Sequence, residues 1–170
     1  LAFYLVTDTH YYDTSFKASG PAYERRSRTD QKCVAETGAI IDSGFAQIAA
    51  DKDTDIILIP GDLVYRGEYQ SHVGFREKLY KLKEQGKRIY LITARHDYAE
   101  NPVEFDGEKE IPVRGMDRKD LRDFYKDFGF DEAISEHKNS MSYVVQLQPG
   151  YRLLALNCDG DCKDFKGLWD

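Results

Sequence analysis

The stretch DIILIPGD, Asp55 to Asp62, runs through the aliphatic residues Ile56, Ile57, Leu58 and Ile59, turns at Pro60 and Gly61, and stops at a carboxylate. An unbroken apolar run of this length has no polar face. It predicts a strand buried on both sides, as in a parallel sheet covered by helices. Upstream, Val34, Ile41, Phe45 and Ile48 recur at helical spacing behind Thr29 or Asp30 as cap, so a helix is expected to end near Asp51. Downstream, Ser71 is expected to cap a helix to about Gln85, with Phe75, Leu79 and Leu82 on one face and Gly86 as its stop. Arg88 to Thr93 reads as the next strand, and Phe3 to Thr7 as the first.

Farther out, Asp8 to Thr29 and the segment up to Gly115 have no steady period and read as loops. Asp117 caps an expected helix with Leu121, Phe124, Tyr125 and Phe128 inward and Gly129 at its end; a shorter helix is expected next. Ser142 to Leu147 and Tyr151 to Asn157, around Gln148-Pro149-Gly150, read as an antiparallel hairpin. Alternation of strand and helix gives the class α/β, a mainly parallel sheet flanked by helices, in one domain over residues 1–170.

In such sheets ligands sit beyond the carboxyl ends of the strands. Three successive strands here end at potential metal or acid–base residues: Asp8 with His10, then Asp62, then His96 with Asp97. Asp8 and His10 are two apart, so on an extended segment they point the same way and can hold one ion through oxygen and nitrogen. Asp62 has two oxygens and follows a glycine, which suits a bridging ligand. Each has an ordinary alternative: a helix cap or turn former for either aspartate, a hydrogen-bonded histidine for His96.

The formal charge of -6 excludes nucleic-acid binding by a generic basic surface but leaves room for a small anionic substrate. Lys17, Arg25, Arg26, Arg28 and Lys32 gather in a short stretch opposed only by Glu24 and Asp30. The stretch is either a solvated charged segment or a wall of the site that helps select substrate. No apolar run approaches the roughly 20 residues of a transmembrane helix. The chain begins with Leu1 and reads as strand almost at once, as if a preceding segment were removed or left out. The sequence therefore leaves open a cytoplasmic or an exported soluble domain. Three cysteines give no disulfide framework; Cys158 and Cys162 suggest at most a local disulfide or ligand pair.

Asp8-Thr9-His10, Gly61-Asp62-Leu63-Val64 and Ala94-Arg95-His96-Asp97 resemble the D-x-H, G-D-x-x and G-N-H-[DE] motifs of the calcineurin-like metallophosphoesterases. The context VTDTHYY, IPGDLVYRGE, KDFGFDEAIS and SYVVQL is similar to a bacterial branch of that family. The resemblance implies a layered sheet fold and two divalent ions, Mn, Fe or Zn. It makes Asp8 and His10 ligands of the first ion, Asp62 the bridge, and His96 the proton donor to the leaving oxygen of a phosphate mono- or diester, from a phosphorylated small molecule or a nucleotide. Asp97 either orients His96 or caps the loop. Arg95 stands where the family has a ligand asparagine. A guanidinium has no lone pair for a metal, so the second ion loses a ligand, and Arg95 is expected to bind substrate phosphate, to supply its own charge there, or to face solvent. The family's later histidines have no counterpart, because His72 and His137 do not match them, so the chain reads as the N-terminal portion of such a domain. The rival reading is a related domain that has lost catalysis and binds a ligand. A dehalogenase-type phosphatase would need an aspartate at His10, and neither a P-loop nor a G-x-S-x-G elbow is present.

Overall fold

A computed structural model describes residues 1–98, 100–137 and 140–158. In chain order it contains β1 (Tyr4–Leu5), β2 (Ala18–Ser19), α1 (Pro21–Thr29), α2 (Thr37–Ala50), β3 (Ile56–Ile59) and α3 (Tyr69–Glu84). There follow β4 (Arg88–Leu91), β5 (Val103–Asp106), β6 (Lys109–Pro112), α4 (Arg118–Phe124), β7 (Ala133–Glu136), β8 (Tyr143–Gln148) and β9 (Tyr151–Ala155). The architecture is mixed α/β, with three small sheets among the described residues.

The first sheet has the order β1-β3-β4 and is parallel throughout. The aliphatic run around Ile57 is its centre, and Ile56, Ile57 and Ile59 are buried as a two-sided strand requires. The helices α2 and α3 connect these strands and pack together through Phe45 and Phe75, whose ring centres are 6.1 Å apart. Ile41, Phe45 and Ile48 of α2 and Phe75, Leu79 and Leu82 of α3 join the main core, as their spacing predicts.

A second sheet, order β2-β5-β6, contributes Val103 and Phe105 to a smaller core shared with Tyr12, Tyr65 and Val34. The third, β7-β8-β9, is antiparallel and contains the expected hairpin. Tyr143 anchors it by donating its hydroxyl to the carbonyl of Leu91 at 3.0 Å.

Several expectations are corrected. The stretch after Asp8 is not all loop, because α1 begins at Pro21, a residue suited to a first helical turn. Thr29 ends that helix instead of capping the next. Its hydroxyl donates to the carbonyl of Arg25, while the Asp30 carboxylate accepts from the Lys32 N–H and the Tyr65 hydroxyl. Helix α2 therefore starts only at Thr37. Ser71 lies inside α3, where its Oγ accepts the Asp13 N–H at 3.1 Å. The segment before Gly115 holds the β5–β6 hairpin, and a 3₁₀ turn at Phe130–Glu132 replaces the short helix and leads into β7. The first sheet is thus parallel throughout, the second is mixed, with β2 parallel and β6 antiparallel to β5, and the third is antiparallel. Among the described residues no helix is long and apolar enough to cross a membrane.

Candidate metal centre

The parallel register continues past the ends of the strands. Leu5 lies opposite Leu58, and the same register returns at the bridge between Tyr11 and Val64. Between them the N–H of Asp8 donates to the Gly61 carbonyl (3.3 Å), that of His10 to the Asp62 carbonyl (3.0 Å) and that of Tyr11 to the Leu63 carbonyl (2.9 Å). Backbone pairing alone brings the first two motifs together. The third joins them through Asp62, whose Oδ1 accepts the His96 N–H at 3.1 Å.

Asp8, His10 and Asp62 then offer ligand atoms within 4.8 Å of one another. All three have left-handed backbone, with φ of 53°, 41° and 53°. Few non-glycine residues adopt this conformation, and it costs free energy that the neighbouring hydrogen bonds must offset. Its clustering at three candidate ligands marks a constrained arrangement. Gly61, with φ 107°, is required for the same reason and for space, because a Cβ there would lie 2.6 Å from the Ala94 Cβ.

The side chains fit a divalent cation. The His10 Nδ1 is buried without a hydrogen-bond partner among the described residues, and its Nε2 lies 3.9 Å from Asp8 Oδ1. Burial, then the Lys32 charge, lowers the His10 pKa against the opposing pull of Asp62, favouring the neutral ring that a metal needs. Two carboxylates and an imidazole suit Mn, Fe or Zn. Asp8 is the exposed member; the Thr7 hydroxyl donates to its Oδ2 at 2.5 Å.

His96 completes the cluster, its ring 5.0 Å from that of His10 and perpendicular to it. Its Nδ1 meets Lys32 Nζ at 3.0 Å and Glu100 Oε1 at 3.3 Å. An ammonium can only donate, so the Lys32 bond requires a lone pair on Nδ1 and puts the ring proton on Nε2; Glu100 favours the opposite tautomer. Burial lowers the Lys32 pKa, and Asp30, Glu100 and Asp62 counter it.

Asp97 is fully buried, and its carboxylate is engaged by backbone N–H groups. Its Oδ1 accepts the N–H groups of Leu63 (2.8 Å) and Val64 (3.1 Å), and its Oδ2 that of Ala94 (2.7 Å). Of the two roles weighed from sequence, loop cap and orienter of His96, these bonds are those of the cap. Burial pushes its carboxyl up to about 7, against the pull of the three N–H groups. Arg95 points outward: its side chain is 72% exposed, with Nε 3.8 Å from Glu100.

The other histidines stand apart. His72 is wholly buried; its Nε2 donates to the Asp97 carbonyl and its Nδ1 accepts the Tyr125 hydroxyl, both at 2.8 Å, and burial holds its pKa down at about 4. His137 pairs with the Ser140 hydroxyl in a turn. Cys33 is an exposed thiol, while the pairing of Cys158 with Cys162 involves a residue outside those described. Lys32 and Glu100 were not singled out as site residues from sequence. The basic stretch was the signal for Lys32; a glutamate four residues after a histidine on an irregular loop gives none.

A cleft of about 900 Å³ opens at Asp8 and His10, and its lining includes Arg26, Asp30, Lys32, Ile41 and Phe45. Candidate carboxylate and imidazole ligands on loops at the carboxyl ends of parallel strands, beside a second histidine and a cleft, are the kind of arrangement that metal-dependent hydrolysis requires. The family model for calcineurin-like phosphoesterases matches residues 1–156, and the chain belongs to that family, whose members are generally metal-dependent phosphoester hydrolases. No curated protein matches the chain.

Proposed function

We propose that the protein hydrolyses phosphate mono- or diesters of small molecules or nucleotides, with a divalent ion held by Asp8, His10 and Asp62. The observation that supports this most is the convergence of those three residues, all in left-handed backbone, together with a buried His10 Nδ1 that has no hydrogen-bond partner among the described residues. When bound, such an ion polarises phosphoryl oxygens and lowers the pKa of water at the site. Asp62 does two jobs, since its side chain is a ligand while its Oδ1 also fixes the backbone of His96. His96, with its ring proton on Nε2 as the Lys32 bond requires, is suited to donate a hydrogen bond to the departing ester oxygen as charge develops on it. Asp97 acts from behind: it holds the Asp62 and His96 loops together and touches no substrate.

The test is metal content by elemental analysis of the full chain and of Asp62→Asn after equilibration with Mn or Zn, with aryl phosphate mono- and diesters as substrates. Lost outer-shell contacts already cost roughly 10–100-fold in metal affinity, so a lost ligand should cost at least about 100-fold, with hydrolysis falling alongside. Equal metal content in both proteins, or a native protein without metal, would reject the reading.

A further inference from the structure

The five basic residues between Lys17 and Lys32 do not share a role. Lys17 pairs with Asp106 (2.8 Å), Arg25 with Glu108 (3.6 Å), Arg26 with Glu110 (2.6 Å) and Arg28 with Glu24 (3.8 Å). Three of these four partners lie on or beside the β5–β6 hairpin, so most of the stretch is neutralised by that wall. Lys32 is different. Among the described residues no carboxylate oxygen lies within 4.0 Å of its Nζ, although the residue is half-buried. The ammonium donates to the Tyr65 carbonyl (3.2 Å) and to His96 Nδ1 (3.0 Å), leaving one of its three N–H donors without an acceptor among the described residues. It lines the same cleft as Asp8 and His10.

A half-buried cation with a spare donor, unpaired beside a candidate metal triad, is arranged to receive an anion. Arg95 is not: it is largely exposed and directed at Glu100. We propose that Lys32 is the substrate-anchoring cation of this site, its ammonium donating to a phosphoryl oxygen in the cleft while its bond to His96 fixes that ring. This rests on the phosphoester reading above and names the residue that grips the substrate. The Tyr65 carbonyl and the Tyr65 ring, 5.1 Å from Nζ to its centre, hold the ammonium in place before the anion arrives.

The experiment is calorimetric titration of the Mn-loaded full chain with inorganic phosphate, comparing native protein with Lys32→Met, which keeps the length of the side chain, and Lys32→Arg, which keeps the charge. Metal content is measured on each. Loss of a charged hydrogen bond predicts phosphate binding weakened about tenfold or more in Lys32→Met, retention within about threefold in Lys32→Arg, and unchanged metal content. Equal phosphate affinity in native and Lys32→Met overturns the proposal, as does a native protein that binds no phosphate. If the native chain takes up no metal, the function proposed above fails, yet the same titration on metal-free protein still decides Lys32: weakened binding in Lys32→Met supports it and equal binding rejects it. Should Lys32→Met not fold, Lys32→Gln replaces it in the same comparison.

Discussion

The two sides of the candidate metal centre are held by different means. On one side, Asp8 to Tyr11 and Gly61 to Val64 are locked by main-chain hydrogen bonds that extend the β1–β3 register, and the Asp97 carboxylate ties them to the next loop. On the other, Lys32, His96 and Glu100 meet through side-chain contacts from segments with little regular structure. The first side is rigid because backbone geometry over-determines it; the second depends on a few polar contacts near solvent. Placement of the candidate ligands therefore belongs to the fold, and the position of the proposed anchoring lysine to the loops.

Breaking the rigid side should have the largest effect. Gly61→Ala forces a Cβ against Ala94 at a φ of 107°, so we expect a loss of about 2–4 kcal/mol in denaturant unfolding, with metal binding impaired in what remains folded. A smaller effect, and one that depends on pH, is expected behind that side. His72 titrates at about 4 when folded and near its ordinary 6.5 when unfolded. Its neutral burial thus contributes stability that is full above pH 6.5 and is lost as pH falls through 4, in total about 3 kcal/mol. The raised carboxyl of Asp97 has the opposite dependence, its stability contribution falling as pH rises toward 7, so native protein alone shows a muted slope. The difference between native and His72→Gln isolates the histidine: the variant should be about 1–2 kcal/mol less stable at pH 7.5, and the gap should close or reverse by pH 4.5. A gap independent of pH would contradict the buried neutral ring. The smallest effect is expected at Arg25→Ala, because an exposed ion pair contributes little. Stability should shift by less than about 0.5 kcal/mol and phosphate affinity should stay at the native value, sharpening the contrast with Lys32.

The same division explains what was legible in the sequence. The aliphatic run before Gly61 and Asp62 exposes its strand directly, and Asp8, His10 and Asp62 sit where the parallel register continues, so local pattern was enough to place them. The helix α1 was missed because its composition is largely polar without a clean apolar stripe, and β5–β6 because the alternation in VEFD lasts only four residues and KEIP shows none. Asp30 looked like a helix cap, but the hydroxyl of Tyr65, distant in sequence, claims its carboxylate. The meeting of Lys32 with His96 depends on a fold-wide return of the chain, which no spacing encodes.

The Asp97 carboxylate has a consequence for motion. One buried side chain accepts the amide hydrogens of Leu63, Val64 and Ala94, so none of the three is easily released alone without leaving that carboxylate short of donors. Solvent should reach these amides through one shared opening event instead of three independent ones, so that their hydrogen exchange rises and falls together. The two loops that carry Asp62 and His96 accordingly behave as a single hinged plate.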